Sequence, residues 1–195
     1  HCPTRRRAQP YPMGYVGYPP YNSLDAATVA KTDYAANAGD LVEIASFDRP
    51  TTLERGDQMA AQGTWPVLPP APMGVCYLRS DVREADIPDG LTNTYLAGEK
   101  YMQAVSYENG QDWGDNETMH SGYNDDNHRS VALRWRPTLD GETVRRGAFG
   151  SAHAATFNMV MCDGSVRSIE YVIAREVHRR LGTREGGESL TEGIR

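Results

Sequence analysis

The 195-residue chain contains no apolar run approaching the roughly 18–20 residues that a membrane-spanning helix requires. Hydrophobic residues make up 39% of the chain, and the mean hydropathy is −0.61. A chain of this length can close a hydrophobic core by burial alone, which excludes a small scaffold held together by disulfides. We therefore expect a single domain over residues 1–195.

Lysine is scarce, because Lys31 and Lys100 are the only lysines among 20 basic residues. The 26 acidic residues outnumber the basic ones and leave a net charge of −6. Nucleic-acid binding requires a basic face that replaces the counterions of phosphate, so this balance argues against it. Arg5, Arg6 and Arg7 form a short basic run, a pattern typical of a solvated surface.

Cysteine is also scarce, and Cys2, Cys76 and Cys162 are too scattered for a zinc ribbon or a CxxC redox motif. Two arrangements stay open: one disulfide among these three with one free thiol, or three free thiols. The GxSxG elbow, the HExxH helix and a papain-like cysteine context are missing as well. We therefore predict that the chain is not an enzyme. A hydrolase would need His153 and Asp163 to converge in one cleft.

Proline and glycine divide the chain into segments. Five prolines among four tyrosines predict an extended arm on the surface over residues 1–23. We expect loop-like structure over 24–48, because of TDYAANAGD, and an irregular connection over 50–72, which ends in WPVLPPAP. The polar, glycine-rich residues 183–195 predict a flexible tail.

The second half of the chain shows regular patterns. Strands are predicted over 74–80, 92–102 and 130–135. Two further β-prone runs over 156–170 are joined by Asp163-Gly164, which predicts a hairpin with a two-residue turn and positive φ at both positions.

A short amphipathic helix should follow this hairpin. Ile173, Val177 and Leu181 recur at four-residue spacing, and Gly182 is suited to cap the carboxyl end. His178 lies beside this stripe and is expected on the helix surface or at an interface, not as a ligand.

An acidic loop, defined here as residues 108–128, is long enough to be functional or mobile. It supplies hard oxygen ligands of the kind that calcium prefers: Asp112, Asp115, Asn116, Glu117, Asp125 and Asp126. The spacing differs from the DxDxDG pattern of known calcium loops, so a solvated acidic surface is the alternative. His120 and His128 suggest a transition-metal site only weakly, since eight residues separate them.

The order of several motifs resembles a known family. His153, nine intervening residues, Asp163-Gly164 and the following SVRSIEYVI are similar to the C-terminal signature of planctomycete prepilin-type proteins known for an H-X9-DG motif. Similar blocks occur upstream in the same order: CPTRRR at 2–7, VAKTDYAANAGD at 29–40 and GVCYLRSDVREADIPDGLTNTYLAGEKYM at 74–102. The resemblance spans nearly the whole chain.

This resemblance implies an α+β, pilin-like globular head with a mainly antiparallel sheet, long loops and a short C-terminal helix. It implies an extracellular or cell-envelope location and a non-enzymatic, structural role in a type IV pilus-like filament or a type II secretion pseudopilus. The expected partners are other pilin-like subunits, in a homo- or hetero-oligomer. Membrane contact would come only from a hydrophobic N-terminal helix that this sequence does not contain.

Two residue roles accompany the resemblance. His153, Asp163 and Gly164 would be structural, with Asp163-Gly164 fixing the hairpin register and His153 bonding to a neighbouring element; a metal or catalytic role for His153 is the alternative. Related pseudopilins bind calcium in a C-terminal loop, which adds interest to the acidic loop by analogy only.

Aromatic residues suggest a second class of function. The chain has 3 tryptophans, Trp65, Trp113 and Trp135, and 11 tyrosines, many of them in polar segments. Aromatic faces stack on sugars and other flat ligands. The alternative function is therefore an extracellular module that binds a polysaccharide or another polymer.

Overall fold

The structure is a computed structural model that describes residues 1–14, 24–41, 50, 52–65, 73–141, 143 and 145–186. These residues form nine strands, which are β1 Tyr11–Pro12, β2 Thr28–Val29, β3 Tyr34–Asn37, β4 Tyr95–Glu99, β5 His128–Arg129, β6 Thr138–Leu139, β7 Gly150–Ser151, β8 Thr156–Met161 and β9 Val166–Glu170. Two α-helices are present in the same part of the chain, α1 Leu53–Gln62 and α2 Arg175–Gly182. Neither helix has the length and apolar character needed to cross a bilayer.

A five-stranded sheet in the order β5-β3-β4-β8-β9 is the centre of the fold. Its strands pair antiparallel except β3 and β5, which are parallel. Two small sheets flank it, an antiparallel β1-β2 pair and a parallel β6-β7 pair. With α2 at the carboxyl side, this architecture confirms the predicted α+β class. The predicted single domain over 1–195 stays a prediction. Residues 15–23, 42–49, 51, 66–72, 142, 144 and 187–195 lie outside the described residues, and with them most of the predicted flexible tail.

The hydrophobic core lies on one face of this sheet. Strand β8 alternates, so Phe157, Met159 and Met161 are buried while the residues between them are only partly covered. These three side chains join Tyr95, Val131, Phe149 and Leu181 in one cluster. Leu181 comes from α2, so the helix closes the core over the sheet.

The predicted hairpin is confirmed, with a different turn. β8 and β9 pair antiparallel from Thr156↔Glu170 to Val160↔Val166. The Gly164 amide donates to the Met161 carbonyl (3.0 Å) and the Met161 amide donates to the Ser165 carbonyl (2.8 Å). Gly164 has φ +83°, whereas Asp163 does not have a positive φ. The connection is therefore a three-residue loop that ends in a left-handed glycine, and the predicted two-residue turn is wrong.

The predicted helix is also confirmed, but two of its residues have other roles. Gly182 lies inside α2, and a Cβ at this position would approach Val131 to 2.3 Å, so close packing and not capping requires the glycine. His178 is buried, not on the surface, and its ring lies within about 6 Å of Tyr95, Phe149 and Phe157.

Two predicted strands are wrong. Residues 74–80 form bends and a turn, because Gly74 packs against the backbone of Gly39 and Arg79 adopts φ +62°. Residues 130–135 also turn, and the strand in this region is β5, two residues earlier. The prediction over 92–102 is partly right, since β4 occupies the middle of that range.

Several elements were missed, among them β3 and helix α1. β3 lies within the segment predicted as a loop, and the Asn37 side chain stabilises it by donating to the carbonyls of Tyr95 (2.8 Å) and Gly182 (2.8 Å). Helix α1 lies within the predicted irregular connection. Its caps were visible in the sequence: the Thr52 hydroxyl accepts from the Arg55 amide (3.1 Å), and Gly63 ends the helix with φ +61°.

The burial of His178 predicts a loss of stability in acid. Burial lowers its pKa to about 3, from an ordinary value of about 6.5. A depressed pKa means that the neutral ring contributes stability above pH 6.5, and this stability is lost as the pH falls below it. Between pH 7 and pH 4 we expect the free energy of unfolding to fall by roughly 3 kcal/mol more in wild type than in His178→Leu. Urea unfolding across this range measures the difference, and a gap that does not change with pH would contradict the expectation.

Candidate functional site

His153 and Asp163 lie at opposite ends of β8, so the structure does not bring them into one cleft. Asp163 is exposed in the hairpin turn, where its carboxylate accepts from the Ser165 amide (2.8 Å) and hydroxyl (2.6 Å). These hydrogen bonds lower its pKa. Asp163 and Gly164 therefore shape the turn, and His153 has other neighbours.

The arm is anchored by a buried ion cluster, defined here as Arg5, Arg6, Lys31, Asp33, Lys100, Asp115 and Asp140. Arg6 is at its centre, with no exposed side-chain surface. Its guanidinium donates to Asp33 Oδ1 (2.8 Å) and to both carboxylate oxygens of Asp115 (2.7 and 3.1 Å). It also donates to the Tyr107 carbonyl (2.8 Å) and lies over the Tyr11 ring. The expected solvated surface is thus wrong for Arg6.

Arg5 extends the same cluster toward the other side of the arm. Its guanidinium donates to Asp140 Oδ2 (2.8 Å) and to the carbonyl of Lys100 (2.8 Å). Asp140 in turn accepts from the Met102 amide (2.9 Å). Arg5 is buried like Arg6, and of the three arginines only Arg7 is exposed, so the arm is embedded in the domain at Arg5 and Arg6 and does not lie on the surface there.

Lys100 and Asp115 form another buried contact of the cluster. The Lys100 ammonium donates to Asp115 Oδ1 and to the carbonyls of Gly114 and Asp126, each at 2.9 Å. Burial lowers the pKa of Lys100. Burial alone would raise the pKa of Asp115, but Lys100 and Arg6 beside it hold that pKa below its ordinary value. Asp115 is therefore held as a carboxylate by protein cations.

The remaining residues of the predicted calcium loop also bond within the protein. Asp112 accepts from the amides of Gln103 (2.5 Å) and Gly114 (2.7 Å), and Asp126 accepts from the Glu117 amide (2.8 Å). Asp125 pairs with Arg146 (3.2 Å). Further bonds join the Glu117 carboxylate to Asn124 (3.0 Å) and the Asn116 carbonyl to the Gly14 amide (2.8 Å). Calcium binding stays a prediction from the sequence, and these contacts direct the carboxylates at amides and cations.

His120 and His128 occupy different environments. His120 is exposed, whereas the His128 ring packs against Tyr123 at a tilt of 54°, with ring centroids 4.4 Å apart. Burial lowers the pKa of His128 to about 4. Neither histidine belongs to the group of potential metal ligands found among the described residues.

That group consists of Cys2, Glu99 and His153, whose donor atoms all lie within 4.8 Å of one another. The three residues come from the arm, the end of β4 and the segment before β8. Each also lies in a segment that carries the family resemblance. All three cysteines are free thiols in the structure.

The chain belongs to the family described as a protein of unknown function (DUF1559), whose model matches residues 1–176. The match covers the arm, the five-stranded sheet and the first two residues of α2. No curated protein and no solved structure matches the chain.

The ion cluster predicts that substitution of Arg6 costs far more stability than substitution of its neighbour Arg7. Arg6→Gln leaves Asp33 and Asp115 with an uncompensated buried charge, and we expect a loss of about 3–5 kcal/mol in the free energy of unfolding. Arg7→Gln is the matched control at an exposed position and should change it by less than about 0.5 kcal/mol. The cost of Arg6→Gln should shrink as the pH falls below the ordinary aspartate pKa of about 4, because the lowered pKa of Asp115 contributes its stability above that pH and loses it in acid. Urea unfolding of both variants measures the free energies of unfolding. Equal losses in the two variants would contradict the placement of Arg6 at the centre of the ion cluster.

Proposed function

We propose that the chain is a pilin-like head that serves as a structural subunit of an extracellular filament or a secretion pseudopilus. The resemblance of its ordered sequence blocks to prepilin-type proteins supports this proposal, together with its membership of a family without an assigned activity. The observation that carries it is a partly exposed apolar surface on the sheet.

An apolar row runs across four strands of the sheet and consists of Ala36, Ala97, Val160 and Val166. The pairs Ala36↔Ala97, Ala97↔Val160 and Val160↔Val166 are direct cross-strand partners, so the four side chains share one face. Val160 alternates with Met159 and Met161, which places the row on the face opposite the core. Val166 is 69% exposed at the β9 edge.

This surface is suited to contact with another subunit of the same assembly. The small side chains of Ala36 and Ala97 allow close approach, and Val166 offers an apolar anchor at the periphery. β9 is also the last strand of the sheet within the described residues, so its outer edge presents backbone donors and acceptors. A neighbouring pilin-like head is the partner that we propose for this row.

A charge placed in the apolar row tests the proposal. Val166→Lys would bury an ammonium group at the contact, and we expect at least a roughly tenfold loss of chain from filaments sheared off producing cells. Val172→Lys is the matched control, because Val172 is 75% exposed and lies beyond the end of β9. Immunodetection in the sheared fraction and sedimentation of that fraction give the measurement. Absence of the wild-type chain from this fraction, or equal incorporation of both variants, would overturn the proposal.

Trp113 favours a second candidate function, binding of an extracellular polysaccharide. Its side chain is 57% exposed, while its neighbours Asp112 and Gly114 are buried. The Asp112 carboxylate fixes this turn by accepting from the Gly114 amide. A rigid, exposed indole is a suitable stacking surface for a sugar ring.

Affinity electrophoresis through gels that contain polysaccharides distinguishes this second candidate. Wild type should be retarded by at least one polysaccharide, and Trp113→Ala should abolish the retardation because it removes the stacking face. Leu133→Ala, at a side chain that is 49% exposed, is the control and should migrate like wild type. Unretarded wild type, or retardation that persists in Trp113→Ala, would reject polysaccharide binding through this residue.

A further inference from the structure

Three side chains from distant parts of the sequence direct a sulfur, an oxygen and a nitrogen at one point. Cys2 Sγ lies 3.8 Å from His153 Nε2, and Glu99 Oε1 lies 3.1 Å from the same nitrogen. Cys2 and Glu99 are almost fully buried, at 2% and 1% exposure, whereas the His153 side chain is 34% exposed. The group thus has a buried wall and one side open to solvent.

The arrangement differs from that of a cysteine-histidine catalytic pair. In such a pair the thiol contacts one ring nitrogen while the orienting carboxylate holds the other. Here Cys2 and Glu99 both approach Nε2, and a single nitrogen cannot accept from the thiol while it donates to the carboxylate. A cation among the three atoms satisfies all of them at once.

The distances agree with the edges of a tetrahedral metal site. At a tetrahedral angle, ligand bonds of about 2.3 Å to sulfur and about 2.0 Å to nitrogen and oxygen separate sulfur from nitrogen by about 3.5 Å and nitrogen from oxygen by about 3.3 Å. The observed separations of 3.8 Å and 3.1 Å each lie close to these values. A thiolate and a carboxylate would also balance the charge of a divalent ion.

Other contacts hold the ligands in place. Glu99 Oε2 accepts from the Asn158 amide (2.7 Å), which leaves Oε1 for the site. The Cys2 amide donates to Asp33 Oδ2 (2.6 Å), so the ion cluster positions the cysteine. The His153 amide donates to Ser151 Oγ (3.0 Å), and its carbonyl accepts from the Tyr171 hydroxyl (2.9 Å). Such outer contacts preorganise a metal site.

We infer that Cys2, Glu99 and His153 bind one divalent metal ion of the Zn²⁺ class per chain, with a fourth position open to solvent. Thiolate and imidazole ligands select such borderline metals over calcium and magnesium, which prefer oxygen. The bound ion joins the arm to the end of β4 and the segment before β8. This site is separate from the apolar row and from the acidic loop, so the inference does not depend on the proposed filament role.

Binding of Zn²⁺ and Co²⁺ to the purified, reduced chain tests the inference. We expect one ion per chain by calorimetry, an increase in the thermal midpoint that a chelator reverses, and a thiolate-to-cobalt charge-transfer band. Cys2→Ser should remove that band. His153→Gln, at a partly exposed position, should weaken affinity at least 100-fold, since loss of an outer contact alone costs about 10–100-fold. Calcium should give no binding that Cys2→Ser or His153→Gln weakens, because oxygen-preferring ions do not select a thiolate and an imidazole.

Matched controls separate this site from adventitious binding. Cys76→Ser, Cys162→Ser and His120→Gln change thiols and an imidazole outside the group, and all three should bind like wild type. Thermal unfolding without metal confirms that each variant is folded. Absence of binding, binding without a thiolate band, or affinity that survives His153→Gln would overturn the inference. Equal loss of affinity in the controls would overturn it as well.

Discussion

The guanidinium of Arg6 is enclosed between the carboxylates of Asp33 and Asp115, and none of its surface reaches solvent. A buried charge is strongly destabilising unless its partners are in place, so the arm reaches this position only together with the segment before β3 and the acidic loop. The same contact places the Cys2 amide on Asp33. The neighbouring cysteine thereby reaches the end of β4, where Glu99 and His153 meet it.

The acidic loop is ordered by the same principle. Its carboxylates act as acceptors for backbone amides and for Arg6 and Lys100, while the Arg129 guanidinium donates to the carbonyl of Gly114 (3.1 Å). A long loop built in this way has fixed geometry without strands or helices. Its surface can therefore present a side chain such as Trp113 in one orientation, which matters for any contact with a partner or a polymer.

The two functional proposals place different demands on the molecule. An assembly surface requires an exposed apolar patch on a rigid support, and the apolar row lies on the central sheet. A metal site requires converging donor atoms with fixed backbones, and the arm, β4 and the segment before β8 supply them. A bound ion would reinforce the anchorage that the ion cluster already gives the arm, so the metal inference concerns the stability of the fold.

The sequence by itself determined the elements whose signals are local. The hairpin at Asp163-Gly164 and helix α2 follow from strand-forming runs, a left-handed glycine and a four-residue apolar spacing, all within a few residues. Thr52 and Gly63 are equally local signals, since they cap the two ends of α1. His153 stood out in the sequence as a candidate residue, but its partners did not, because Cys2 is 151 residues away in sequence.

Only the tertiary structure decided which charged and polar residues are buried and which partners they contact. Arg6 meets Asp33 across 27 residues and Asp115 across 109, and no local pattern distinguishes such an arginine from its exposed neighbour Arg7. The same holds for β3, which is a strand because the sheet and Asn37 hold it there, although its residues are typical of a loop. Local preference fixes turns and helix ends, whereas burial of a charge depends on partners that only the folded chain brings together.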